Sequence, residues 1–482
     1  MHRLSYSMFV FYRVCELADV SACTKNAIEL QWLLRRSLAC RRCSAKVASD
    51  HIFYNQCSMP SARFKVLGKP IGRLILLIHL VQQYISHCRS ILHLPSKAGL
   101  IVKSSLPIIR RILACLTSLF LMVPVACSQP TLDDLWQGKA HLEPVGELDY
   151  GGQHDDGVPK AASAWYAVAD GRWYAFSRFV RFDRPADCPH DYVEIRVSES
   201  RDKGRTWSEP VVAVSPGASR VGDGCIIMDG NSFYDRTTQT WHMLAQCMDR
   251  SDRGGWAICH YFRRAPTPMG PYVPDSNNPV IRGGQLWQQV CTDRHTTCEP
   301  VTKDEGTPDI VEKRNGEYIV TFHGFDGQKG YRMVAATPDF RRWSVRGSGL
   351  PGAAILTAAE CRTWLSGCVG FGQASALRSG GRIYVIAESM DRSLQCEENQ
   401  KWTFSLLRSR GDKWPVSGAN GWEIFRINPL IKPAQYNPKT KCQVNYARWL
   451  TDNDDTYIVY EDWTPQHKRV HRRLLKLVDG PT

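Results

Sequence analysis

The strongest constraint on the fold is a unit that recurs five times after residue 160: a turn of Gly, Asn, Asp or Thr, an aromatic and β-branched strand, then a strand running into another turn. The first copy sets Asp170-Gly171 before Trp173-Tyr174-Ala175-Phe176 and continues over 193–207. The second has Thr240-Trp241-His242-Met243-Leu244 and then 257–272. The third places Asn315-Gly316 ahead of 318–322 and continues over 330–343; the fourth places Gly380-Gly381 ahead of 383–386 and continues over 402–414. The fifth has Asp454-Asp455, then 457–460, then 468–478. Such strands, flanked by tight turns, have the chemistry of hairpins. A lone sheet of this kind cannot bury both faces until neighbours stack on it, and a spacing of about 65 residues suits four-stranded blades with loops. The expected fold is therefore all-β: a five-bladed β-propeller of four-stranded antiparallel blades, occupying 128–482.

The net charge of +14 suggests a nucleic-acid partner, but its distribution does not. Residues 1–127 hold 17 Lys and Arg against 4 Asp and Glu, leaving 44 against 43 in the rest. A nucleic-acid footprint needs a basic face on the folded domain, so no nucleic-acid partner is expected.

Residues 1–101 lack sustained periodicity and read either as an N-terminal extension that is not made, from a start assigned too early, or as an unfamiliar domain. A secretory signal follows over 102–127. Lys103, Arg110 and Arg111 form its basic front, 112–125 its apolar middle, and Ala126-Cys127-Ser128 its small-residue end. The apolar run of about 14 residues is short of the roughly 20 a membrane span requires. Val125-Ala126-Cys127 also fits a lipoprotein cleavage site, which would place a lipid anchor on Cys127. The expected location is periplasmic or secreted, with the lipoprotein left open. Ten cysteines from Cys188 to Cys442 agree with an oxidising compartment. Spacing favours Cys291 with Cys298, Cys361 with Cys368 and Cys247 with Cys259, and leaves Cys188 with Cys225 and Cys396 with Cys442.

Two motifs carry resemblances. Ser200-Arg201-Asp202-Lys203-Gly204-Arg205-Thr206-Trp207 resembles the Asp-box of sialidases and many other propellers, whose usual role is to brace a turn. The order Asp229-Gly230-Asn231-Ser232-Phe233-Tyr234-Asp235, then Glu305-Gly306-Thr307-Pro308, then Gly370-Phe371-Gly372-Gln373-Ala374-Ser375 resembles five-bladed glycoside hydrolases of family 43 and their relatives. The resemblance covers roughly 150–465. It implies Glu305 as general acid and Asp229 as the carboxylate that tunes it. The first unit lacks a carboxylate at the equivalent position, and Asp156 is nominated as base from the loop just upstream. Gln373 and Glu388 stand where the family has histidines.

The physical logic is independent of the resemblance. Glycoside cleavage needs one carboxyl kept protonated and another kept ionised, and neighbouring carboxylates of low solvent access shift in those directions. Trp165 is expected to stack on sugar at the mouth of the channel. His323, Gln373, Glu388 and Arg448 are expected substrate contacts. No phosphate loop, dinucleotide fingerprint or nucleophile elbow occurs, so no cofactor is expected to be required. A structural Ca²⁺ in the channel is left open, with no metal ligands assigned. The expected function is an exported glycosidase acting on a polysaccharide or glycan. The alternatives are a sialidase-like exo-glycosidase and a propeller that binds glycan without cleaving it.

Overall fold

The computed structural model describes residues 129–148, 161–219, 223–248, 256–286, 304–325, 329–393, 401–435, 444–464 and 469–480, apart from positions 182, 189–190, 348, 353, 419 and 434. The signal over 102–127, Cys127, Asp156 and the pairs Cys291 with Cys298 and Cys396 with Cys442 lie outside the described residues. No described helix is long and apolar enough to cross a membrane.

The chain enters through a one-and-a-half-turn helix, α1 (Leu132–Gln137), and strand β1 (Ala140–Glu147). Thr131 caps the helix reciprocally with Asp134, and Gly138 ends it at φ 74°. Blade 1 follows as β2 (Ala161–Ala169), β3 (Arg172–Val180), β4 (Val193–Ser200) and β5 (Val211–Val214). Blade 2 is β6 (Ile226–Asp235), β7 (Thr240–Met248), β8 (Ala257–Arg264) and β9 (Val273–Pro274). Blade 3 is β10 (Asp304–Arg314), β11 (Glu317–Phe325) and β12 (Gly330–Thr337), edged by a bridge from Ala336 to Ser344. A small hairpin, β13 (Arg346–Gly347) with β14 (Leu350–Pro351), and a short helix, α2 (Ala358–Cys361), lead to blade 4. That blade is β15 (Cys368–Ser379), β16 (Arg382–Asp391), β17 (Trp402–Ser409) and β18 (Trp422–Ile424). Blade 5 holds β19 (Val444–Asp452), β20 (Asp455–Thr464) and β21 (Arg469–Asp479), and its fourth strand is β1.

The architecture is thus a five-bladed β-propeller. Its first described strand closes its last blade: β1 pairs antiparallel with β21 from Ala140 opposite Asp479 to Glu147 opposite Arg473. The innermost strands β2, β6, β10, β15 and β19 pack in that order and return to β2, which makes the ring. Neighbouring blades also touch through single parallel bridges, Val193 with Ile226 and Gly330 with Gly370. The second bridge needs glycine. A Cβ on Gly330 would sit 2.3 Å from the Phe371 carbonyl oxygen, and one on Gly370 would sit 2.3 Å from that of Gly330.

The aromatic second strands face neighbouring blades, and this is where the cores lie. One core joins blades 1 and 2 through Phe176, Ile195, Trp241 and Tyr261. Others join blades 2 and 3 (Leu244, Val320, Phe322), 3 and 4 (Val334, Phe371, Val385), 4 and 5 (Ile386, Phe404, Ile458) and 5 and 1 (Tyr166, Trp173, Val459). Leu132 and Leu135 of α1 join the core of blades 4 and 5, so the helix helps fasten the closing strand. Cys247–Cys259 and Cys361–Cys368 are disulfides, as their spacing suggested, and Cys188–Cys225, a pair that spacing only left over, is a third. In the turn after β4, Asp202 accepts from the Thr206 N–H (2.8 Å) and hydroxyl (2.7 Å), and the Trp207 indole donates to the Gly204 carbonyl. Those bonds hold the Asp202 carboxyl down at about 2 and brace the turn.

Candidate active site

Each of the five inner strands carries a β-bulge at the same height. Two residues oppose one on the second strand: 163–164 in blade 1, 229–230 in blade 2, 307–308 in blade 3, 372–373 in blade 4 and 446–447 in blade 5. A bulge re-aims side chains and interrupts the ladder, and bulges gather next to functional sites. Here the first bulge residue is left-handed and not glycine in four blades: Ser163 (φ 48°), Asp229 (φ 48°), Thr307 (φ 39°) and Tyr446 (φ 59°). Such conformations cost free energy and persist only where surroundings enforce them.

The enforcement comes from second strands. Gln246 of β7 accepts the Thr307 N–H across the blade 2 to 3 boundary (3.0 Å). Glu461 of β20 accepts the Ser163 and Ala164 N–H groups of blade 1 (3.1 and 3.0 Å). Glu388 of β16 accepts the Gln373 N–H within its own blade (2.8 Å) and the Tyr446 N–H of blade 5 (2.7 Å). Bulge amides of blades 1, 3, 4 and 5 are thereby satisfied by second-strand side chains, across a blade boundary in every case but Gln373.

Above these bulges lies a cavity of ≈ 220 Å³. Asp229, Thr307, Gln373 and Tyr446 of the bulges line it, with Glu388 opposite the blade 4 bulge and Gln246, His323 and Asn445. Asp304, Trp256, Phe325 and Trp402 line it further. A more open concavity of ≈ 700 Å³ lies by the turns after β6 and β10, but its carboxylate, Asp235, is already held by Lys313 (2.8 Å) and the Tyr318 hydroxyl (2.7 Å). The channel cavity is where uncommitted chemistry gathers. Asp229 Oδ1 and both amide atoms of Gln373 have no hydrogen-bond partner among the described residues.

Burial pushes the Glu388 carboxyl up to about 7, the Tyr446 and Gln373 amides oppose this, and the nearby Asp229 charge adds to it. Burial also raises Asp229, against the pull of Arg178 and Arg448. The Tyr446 phenol is raised, first by burial and then by Asp229. His323 is driven down to about 3 by burial and then by Arg332, so its imidazole is neutral at ordinary pH. Among the described residues, no three His, Cys, Asp or Glu side chains come together as metal ligands.

The depressed histidines carry a stability prediction. His242 lies at about 3 and His260 is lowered, each mainly by burial, as is His323. Unfolded histidine titrates near about 6.5, so their contribution is complete above that pH and is lost as pH falls toward 3. Asp275, lowered to about 2 by its hydrogen bond from His260, has the same sign. The urea midpoint is expected to fall steadily from about pH 6.5 to about pH 4; a flat midpoint over that range contradicts the assignment.

Of the residues nominated from sequence, the cavity gathers Asp229, His323, Gln373 and Glu388. Three others sit elsewhere, and Asp156 is outside the described residues. Glu305 is wholly buried, and its Oε1 accepts the Leu286 N–H (2.9 Å); its neighbour Asp304 lines the cavity instead. Alternation along β10 separates the two side chains to opposite faces. Trp165 is also wholly buried, stacked on Phe176 at 5.7 Å, with its indole donating to Ser232 Oγ (2.9 Å). It is core between blades 1 and 2 and offers no face to sugar. Trp165→Ala is expected to cost about 3–5 kcal/mol of stability, read by urea unfolding, and Trp165→Phe to leave ligand affinity unchanged. Arg448 is buried against Asp309 (Nη1 to Oδ1, 3.1 Å) and is not in the cavity lining.

Sequence reasoning missed Tyr446, Asn445, Gln246, Asp304 and the lining aromatics Trp256 and Trp402. The two tryptophans had a signal: each stands at the entry to a third strand, β8 and β17, on the same end of the ring as the bulges.

No family model and no curated protein matches the sequence. Among solved structures the chain is similar to one titled a glycoside hydrolase, at TM-score 0.50 and 10% identity, over 73% of this chain and 95% of that one. The likeness is one of fold. Weaker likenesses are to a family 117 glycoside hydrolase of the marine bacterium Zobellia galactanivorans (TM-score 0.46, 12% identity, 71% of this chain and 91% of that one) and to an α-L-arabinanase of Cellvibrio cellulosa with arabinohexaose (0.39, 14%, 66% and 91%).

Proposed function

We propose that this propeller is a glycoside hydrolase that cleaves a bond in a polysaccharide or glycan within the bulge-ring cavity. The observation that carries the reading is the meeting of two buried carboxylates, Asp229 and Glu388, in one small cavity lined by neutral hydrogen-bonding groups and by tryptophans. Glu388 is the proton donor. Its raised pKa keeps it substantially protonated near neutrality, and it would deliver that proton to the leaving glycosidic oxygen. Asp229, beside Arg178, is the second carboxylate; its charge holds Glu388 up and faces the positive charge that develops on the sugar ring, and water adds to the anomeric carbon and gives up a proton to complete the hydrolysis. Trp256 and Trp402 are the surfaces for stacking on sugar faces.

The resemblance to family 43 supports this reading only in outline, because the acid role it implied for Glu305 passes to Glu388. The fold likeness to a structure titled a glycoside hydrolase agrees with the class of reaction. An exported, disulfide-bonded enzyme is consistent with three bonds in the described residues. A second reading, binding without cleavage, draws on the two backbone amides that already occupy both oxygens of Glu388. Incubation of the protein with arabinofuranosides, xylosides, galactosides, sialosides and polysaccharides separates the two. Release of sugar is expected; saturable binding with no release from any substrate moves the function to the binding propeller.

A further inference from the structure

The side chain of Gln373 is 1% exposed, it lines the cavity, and neither its amide oxygen nor its amide nitrogen has a partner among the described residues. An unmet buried polar atom is costly to keep, and here one donor and one acceptor stand side by side on one rigid plane. The same cavity contains the unmet Asp229 Oδ1 and Asn445 Oδ1, both acceptors. Its acidic lining, Asp229, Asp304 and Glu388, has no basic counterpart: no Lys or Arg lines it among the described residues.

We infer that the cavity selects an uncharged sugar residue with two adjacent hydroxyls gripped by the Gln373 amide, and that it rejects sugars bearing a carboxylate. The inference rests on reading the cavity as the glycoside site, and names its substrate class. A diol matches the amide atom for atom: one hydroxyl oxygen accepts from the amide N–H, and its neighbour donates to the amide oxygen. The neighbouring acceptors take remaining hydroxyl protons. A site built to hydrogen-bond a hydroxyl rejects the analogue that lacks it, because its own buried groups are then left unmet. A uronate or sialate would instead bring a like charge beside the buried Asp229 carboxylate, with no Lys or Arg among the described lining residues to meet it.

Free monosaccharides test this on the unmodified protein without turnover. Calorimetric titration with L-arabinose, D-xylose, D-galactose, D-glucuronate and N-acetylneuraminate is expected to give the tightest binding to a neutral sugar. Single deoxy congeners of that sugar are expected to bind about 5- to 150-fold more weakly at two adjacent positions. Gln373→Leu is expected to weaken the parent sugar by a similar factor and to lose nothing further with either of those congeners. Tightest binding of an acidic sugar, no binding of any neutral sugar, or equal binding of every deoxy congener overturns the inference. This pattern in a protein that hydrolyses no glycoside would sink the hydrolase reading and leave the inference standing. Hydrolysis restricted to a uronide or sialoside would do the reverse.

Discussion

Glu388→Gln is expected to lower turnover of an unactivated glycan by about 10²- to 10⁴-fold, the range for loss of a general acid. Gln keeps the volume and one acceptor oxygen, so the Tyr446 or Gln373 N–H can still be met and the propeller should remain folded. The loss should shrink on an aryl glycoside whose leaving group needs no proton, because only protonation has been removed. Glu305→Gln is the control. Its carboxylate lies outside the cavity lining and is hydrogen-bonded to the Leu286 amide, so its substitution should be read in stability and leave the leaving-group dependence unchanged. Equal losses in the two variants, or a larger one at Glu305, would return the acid role to Glu305.

The second large effect is structural. Asp309, on the inner strand of blade 3, ties four blades together. Its Oδ1 accepts from Asn231 Nδ2 of blade 2 (2.8 Å) and Arg448 Nη1 of blade 5 (3.1 Å), and its Oδ2 accepts the Ala376 N–H of blade 4 (3.1 Å). Burial pushes the Asp309 carboxyl up and the Arg448 guanidinium down, so desolvation opposes the charge on both partners despite their contact. Such a pair adds little surplus stability, yet breaking it leaves one charge buried alone. Asp309→Ala and Arg448→Ala are each expected to cost about 3–5 kcal/mol in urea unfolding. The double variant Asp309→Leu with Arg448→Met should lose clearly less than the sum of the single changes. Additive losses would show that the two residues act independently.

The propeller is legible because its repeat is written in side chains that must be buried. Strands such as that of Trp173, Tyr174 and Phe176 are apolar since they face a neighbouring blade, and the turns before them need Gly, Asn or Asp. Closure by β1 is not legible, because one strand carries no repeat and its pairing with β21 is a matter of distance along the chain. The bulges are hidden for a different reason. Each inserts residues that no local pattern marks, so the alternation of faces read from the turn does not carry past it. Glu305 is favoured by its distance from the turn and by the resemblance, neither of which records that its side chain reaches the Leu286 amide; Trp165 lies on the turn side of its bulge, and nothing in its own strand shows that blade 2 covers it. Glu388 reads in sequence as a substrate contact standing where a histidine is expected, not as the acid. Its role depends on amides 15 and 58 residues away, which no local pattern records.

The most direct test of the account is the pH dependence of kcat/KM on the best glycan, measured for the parent and for Glu388→Gln. A group raised to about 7 and needed protonated gives an alkaline limb: activity is full well below that pH and falls as pH rises through it. The account requires that limb near 7 in the parent and its disappearance in the variant's residual activity. A parent profile with no such limb, or one that persists unchanged in the variant, would contradict Glu388 as the proton donor.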